Sequence, residues 1–217
     1  MKQGCEILER IFSPSSCDAL TASLPVSRSR AGRRHRLAEG AVAAVAGSKR
    51  LLALARRQVG PGAVPFRATV FEKSGERNWL VAWHQDTTLP VRQKIDSPDW
   101  GPWSVKEGIL FGHAPTWALQ RVVALRIHLD ASTADNGPLR VLPGTHERGV
   151  LADEEVFRLA KSIPAVELPV PRGGVLAMRP LPIHASSKSR TVAPRRVLHV
   201  EYAAGLDLAP GVRLALA

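Results

Sequence analysis

From Pro65 to Ala203 the chain is a succession of short β-type runs, and a turn signal closes nearly every one. This pattern limits the fold more than any other feature. Phe66–Lys73 ends at Ser74-Gly75, and Asn78–His84 follows. Arg121–Asp130 is the clearest run, with valines and leucines flanking Arg126 and His128, and it leads to Asn136-Gly137. Leu139–Leu142 stops at Pro143-Gly144, and Ala165–Val170 turns through Pro171-Arg-Gly-Gly into Val175–Met178. Pro180–His184 reads as extended, and Arg195–Ala203 closes the series. Runs rich in β-branched residues between Gly, Pro and Asn signals read as strands. They do not alternate regularly with helices, so a doubly wound parallel sheet fits poorly. A mainly β fold is expected, a barrel or jelly roll with helices packed outside it.

Helical spacing gathers before residue 62. Residues 5–24 read as a short helical or turn-rich entry capped by Ser16 or Cys17 and ended by Pro25. Within 38–58, Leu51, Leu52, Leu54, Ala55 and Val59 recur at helical intervals and predict one buried stripe. Ser48 suits an N-cap, and Gly60-Pro61-Gly62 is a strong stop. Two further segments, 114–120 and 153–161, read as short helices. The expected organisation is one domain over 1–217, with helical decoration over 1–62 and a β core over 63–205. Residues 87–104 look like a long loop carrying Trp100 and Trp103. Either that loop is a lid or substrate wall, or the two indoles pin it to the core.

Charge and cysteine usage narrow the partners. The two cysteines, Cys5 and Cys17, have no metal-ligand spacing, so a reducing cytoplasm fits better than a disulfide-stapled secreted scaffold. The opening MKQGCEILERIF lacks the apolar run of a signal peptide, and no stretch nears the roughly 18 apolar residues of a membrane span. A net charge of +11 raises nucleic acid as a partner. The charge is spread along the chain, however, and only 5% of residues are aromatic, with no interleaved aromatic and basic stripe. The dense cluster at 27–36 therefore reads as a solvated loop or as an anion-binding rim. With Arg92, Lys94 and Lys106 it favours an anionic small molecule.

Seven histidines are available as metal ligands. Two His-x-Asp pairs, His84 with Asp86 and His128 with Asp130, each sit at a strand end. Residues i and i+2 of a strand share a face, so imidazole and carboxylate converge. His184 lies at another strand-to-loop junction. Two histidines and a carboxylate on one face of an iron ion leave positions open for substrate and oxygen. Spacing alone does not choose between the two pairs.

Three motifs in order, WHQD at 83–86, NGPLRVLPGTH at 136–146 and HASSKSRTVAPRR at 184–196, make residues 66–205 resemble the phytanoyl-CoA dioxygenase family. These are oxygenases dependent on Fe(II) and 2-oxoglutarate. The resemblance implies a double-stranded β-helix, a cupin-like jelly roll. It selects His84, Asp86 and His184 as the metal-binding and catalytic set. His128 and Asp130 become structural or pocket-lining, and His146 architectural. It implies that an arginine on the last strand clamps the carboxylate of 2-oxoglutarate. Arg195 lies at the family's interval from the distal histidine, with Arg196 as competitor. A guanidinium fork suits that task. Ser186 and Arg126 are further cosubstrate candidates, and Lys73 is a weaker one. The implied reaction uses Fe(II), 2-oxoglutarate and O2, releases succinate and CO2, and hydroxylates a small molecule. Halogenating relatives lack the carboxylate present here as Asp86. The alternative is a non-catalytic jelly roll that binds a metal or ligand.

Overall fold

A computed structural model of the protein describes residues 1, 3–24, 34–75 and 77–217. Pro25 and most of the basic cluster at 27–36 lie outside the described residues. In chain order the elements are β1 (Cys5–Leu8), α1 (Pro14–Ser23), α2 (Gly40–Ala46), α3 (Lys49–Val59), β2 (Val64–Lys73), β3 (Val81–His84), β4 (Thr88–Pro90), β5 (Trp103–Lys106), β6 (Ile109–His113) and α4 (Thr116–Leu119). Then follow β7 (Val122–His128), β8 (Leu139–Val141), a 3-10 turn at Thr145–Arg148, α5 (Asp153–Ser162), β9 (Val166–Leu168), β10 (Val175–Met178), β11 (His184–Ser186), β12 (Arg195–Ala203), β13 (Asp207–Ala209) and β14 (Val212–Arg213).

The fold is a mainly β jelly roll. A five-stranded antiparallel sheet in the order β1-β10-β7-β12-β2 supplies one wall, and a four-stranded sheet in the order β3-β11-β8-β9 supplies the other. Strand periodicity explains how β12 serves two environments. Arg195, His199 and Glu201 share one face and line a cavity between the sheets. Leu198, Val200 and Tyr202 point the other way into an apolar core with Leu51, Ala55, Val42 and Ala46 of the helices. Tyr202 donates its hydroxyl to the Ala46 carbonyl at 2.9 Å, so the buried phenol is satisfied. Leu51 is fully buried there. Burial of one such side chain contributes about 1.5–3 kcal/mol, so α2 and α3 fix the outer face of the large sheet.

Local chemistry sets the helix boundaries. Ser48 caps α3 by accepting from the Leu51 amide at 3.4 Å, and Gly60 closes the helix at φ 96°. The expected helical stretch over 38–58 is two helices, broken at Gly47-Ser48. Several readings need correction. Residues 5–24 contain β1, which pairs with β10, and the cap of α1 is Ser13 rather than Ser16 or Cys17. Glu6 and Ile7 gave no visible alternation, because β1 is a half-buried edge strand. The expected loop at 87–104 holds β4 and the start of β5, which pair with β6 in a third sheet. Its indoles are structural: Trp100 is buried, stacked on Trp103 at 6.4 Å, and neither lines the cavity. The cavity takes Trp79 instead.

Candidate metal centre

β3 and β11 are adjacent antiparallel strands, and their register sets His84 directly opposite His184, with ring centroids 4.2 Å apart. Ser186 pairs with Val81, so β3 carries one extra residue between the two pairs. Such a bulge re-aims the side chains beside it. Asp86 lies past the end of β3, so strand alternation alone does not aim it. Its amide donates to the Pro180 carbonyl at 3.0 Å. Gln85 fixes the backbone between His84 and Asp86. Its amide nitrogen donates to Leu181 O and Gly149 O at 2.7 and 2.9 Å, and its oxygen accepts from the Leu151 amide at 2.9 Å. Gln85 was not singled out in the sequence, since a buried glutamine in a loop leaves no pattern.

His84, Asp86 and His184 present donor atoms that all lie within 4.8 Å of one another. Asp86 stands 3.6 Å from the Nε2 of each histidine. Two donors each about 2.1 Å from one ion are at most about 4.2 Å apart, so the two 3.6 Å separations suit a shared metal. The tautomers suit it too. Nδ1 of His84 lies 2.8 Å from the Ala82 carbonyl, and Nδ1 of His184 lies 3.0 Å from the Pro182 carbonyl. A carbonyl only accepts, so both Nδ1 atoms carry the proton and both Nε2 lone pairs are free. Burial holds the His184 pKa down to about 4, so it is neutral at neutral pH. For Asp86 burial would raise the pKa, but His184 and His84 outweigh it and hold the carboxyl well below its usual range. Burial would likewise depress His84; contact with the Asp86 carboxylate overcomes that and raises it.

A cationic end of the same cavity lies along β2 and β12, where Lys73 pairs with Arg195. Lys73 is 1% exposed and donates to Ser186 Oγ at 2.6 Å and to the Ser187 carbonyl. Burial, then the neighbouring Arg195, Arg126 and Arg140, holds its pKa down to about 7. Arg195 is 4% exposed, its Nε is unpartnered, and burial followed by Arg126 brings its pKa to about 10. Among the described residues no carboxylate within 4.0 Å pairs with either cation. Buried charge without a counter-charge is costly, so this end suits an anion. The Asn136-Gly137-Pro138 turn supports it. Asn136 closes the turn on Thr133 and Ala131 at 2.8 Å each, and the Gly137 carbonyl accepts from Ser186 Oγ at 2.9 Å. Gly137, at φ 69°, has the Ser187 carbonyl where a Cβ would stand.

The remaining candidates fall elsewhere. Arg196 points away from the cavity and binds Asp130 in bidentate fashion at 2.7 and 2.8 Å. His128 is buried on Ser132 Oγ at 3.0 Å, so the second His-x-Asp pair is dismantled into two separate contacts. Arg126 lines the cavity, 2.9 Å from His199 Nδ1 and over the ring of Phe71. His146 sits outside the cavity, whereas its neighbour Thr145 accepts from the Ile183 amide at 2.9 Å and steadies the approach to His184. Arg92, Lys94 and Lys106 do not line the cavity.

Solved structures share this architecture. AviO1 from Streptomyces viridochromogenes Tue57 is similar with a TM-score of 0.68 and 20% identity, over 99% of this chain and 93% of that one. EctD from S. alaskensis, solved with 2-oxoglutarate and 5-hydroxyectoine, gives 0.69 and 21%, over 94% and 73%. HygX from Streptomyces hygroscopicus, solved with iron bound, gives 0.67 and 17%, over 93% and 83%. Among curated proteins, none matches the sequence. The family model for phytanoyl-CoA dioxygenase (PhyH) matches residues 2–197, and with that match the chain belongs to the phytanoyl-CoA dioxygenase family.

Proposed function

We propose that the protein is an Fe(II)- and 2-oxoglutarate-dependent oxygenase that hydroxylates a small molecule with release of succinate and CO2. The observation that carries this reading is the convergence of His84, Asp86 and His184 in one cavity with the uncompensated cations Lys73 and Arg195. Two histidines with one carboxylate make the facial arrangement of non-haem iron oxygenases.

Bound there, Fe(II) with 2-oxoglutarate supplies the oxidative decarboxylation and hydrogen abstraction that no side chain provides. The protein's own groups hold and orient. His84 and His184 offer Nε2 lone pairs whose direction the Ala82 and Pro182 carbonyls set. Asp86 stays ionised and offsets one charge of a divalent ion. Arg195 and Lys73 hold the distal carboxylate of the cosubstrate, with Ser186 completing its shell. Arg126 lies deeper, on His199, and acts on the field around Asp86. His184 is buried, whereas the His84 and Asp86 side chains are 40% and 41% exposed, so exclusion of water from the reacting atoms would depend on bound cosubstrate and substrate.

The test is an anaerobic titration of the protein with Fe(II) and 2-oxoglutarate, following the weak visible charge-transfer band. The wild type is expected to form it, His84→Ala to abolish it, and Arg195→Ala to need far more 2-oxoglutarate. No band in the wild type refutes the reading.

A further inference from the structure

The far end of the cavity holds buried polar groups for which metal and cosubstrate have no use. Glu201 lies six residues along β12 from Arg195, about 20 Å at strand rise. The register pairs it with Arg67 and pairs its neighbour His199 with Thr69. All four line the cavity that holds the metal site. Glu201 is 6% exposed and Thr69 2%. Glu201 Oε2 stands 3.2 Å from Arg67 Nε, yet out of alignment, so neither atom has a hydrogen bond. His199 Nε2 is 3.8 Å from the same oxygen, too far to satisfy it. Thr69 Oγ1 has no partner either.

One charge of each sign therefore faces the cavity side by side. A purely anionic ligand on Arg67 would abut the Glu201 carboxylate. A purely cationic ligand on Glu201 would abut Arg67. In a buried site such like-charge contacts are severe. A head group carrying both signs on neighbouring atoms meets each with its opposite and adds no net charge to the enclosure. We propose that Arg67, Thr69 and Glu201 form the substrate head-group subsite and take a zwitterion of the amino-acid type, with its carboxylate on Arg67 and its ammonium on Glu201. The Thr69 hydroxyl serves as a further partner for the carboxylate. This inference rests on the oxygenase reading, because it assigns the substrate end of that active site. It also fits the Glu201 carboxyl being pushed up to about 7, chiefly by burial, since a bound ammonium would relieve that cost.

The experiment uses the full chain loaded anaerobically with Fe(II) and 2-oxoglutarate. Individual L-amino acids are titrated by calorimetry, each alongside the carboxylic acid lacking its amine and the amine lacking its carboxylate. A site with buried polar groups rejects analogues that leave them unpaired. At least one zwitterion is expected to bind tenfold or more tightly than both truncated forms. Glu201→Gln and Arg67→Gln should each weaken it by tenfold or more, while the visible band still titrates with 2-oxoglutarate as in the wild type. The subsite is refuted if the band forms but no amino acid binds at millimolar concentration, or if a truncated form binds as well. Absence of the band overturns both readings. Should a variant fail to fold, the truncated-ligand series on the wild type decides alone.

Discussion

Lys73 offers the sharpest test of the proposed cosubstrate end. Its ammonium is enclosed at 1% exposure beside Arg195, and its pKa is down to about 7 from 10.5. At about 1.4 kcal/mol per unit, the charged form is disfavoured by up to about 5 kcal/mol in the cosubstrate-free protein. Between pH 7 and 10.5 the unfolded chain binds a proton there that the folded chain lacks. Stability therefore rises with pH across that window, and the Lys73 contribution is lost as pH falls through 7. A bound dianion reverses the preference and restores the proton. Affinity for 2-oxoglutarate should then be level below pH 7 and weaken by up to about tenfold per pH unit above it. Lys73→Met removes the titrating group. Its 2-oxoglutarate Kd should be about tenfold weaker at pH 6.5, nearly independent of pH up to 8.5, and its cosubstrate-free form should resist urea better than the wild type at pH 6.5. Kd is read from the visible band at saturating Fe(II), from pH 6 to 9. A wild-type Kd with no pH dependence above 7, or the same slope in Lys73→Met, would refute the reasoning.

Two other perturbations separate support from contact. Arg196→Ala breaks the half-buried bidentate pair with Asp130, so it should destabilise the fold by about 1–3 kcal/mol in urea titration yet leave 2-oxoglutarate affinity intact, whereas Arg195→Ala does the opposite. Gly137→Ala places a Cβ against the Ser187 carbonyl at a positive φ, so it should cost more than about 1 kcal/mol and weaken cosubstrate binding through Lys73 and Ser186. Unchanged 2-oxoglutarate affinity in a folded Gly137→Ala variant would detach the turn from the site.

Four strands of the large sheet, β2, β7, β10 and β12, were legible because each carries either a clear apolar run or an alternation. β12 shows why the legibility extended to the site: in a strand buried on both faces, Arg195, His199 and Glu201 fall on one face and must be aimed somewhere enclosed. Where the reading failed, the residues obeyed partners distant in sequence. β1 exists because β10 accepts it, and β4 and β5 exist because β6 lies between them. Trp100 and Trp103 could be read either as lid residues or as pins for their loop, and the sequence could not choose because only the partner of each indole decides; each packs on the other. The choice between the two His-x-Asp pairs was not in their spacing. Motif order made it, and Arg196 makes its physical sense plain by occupying Asp130. Gln85 and Lys73 were undervalued because their work depends on carbonyls far along the chain.

The pairing of His84 with His184 has a consequence for how tightly an ion can be held. A hundred residues of chain separate the two donors, and a flexible loop of that length would resist closure. Here the hydrogen-bond ladder between β3 and β11 has already joined the ends, and both imidazoles are locked to carbonyls before any ion arrives. Metal affinity therefore works as a gauge of sheet register. A variant that loosens the β3–β11 ladder should lose its ion well before it loses its fold, and a chelator competition would register the damage while the melting temperature still looked normal.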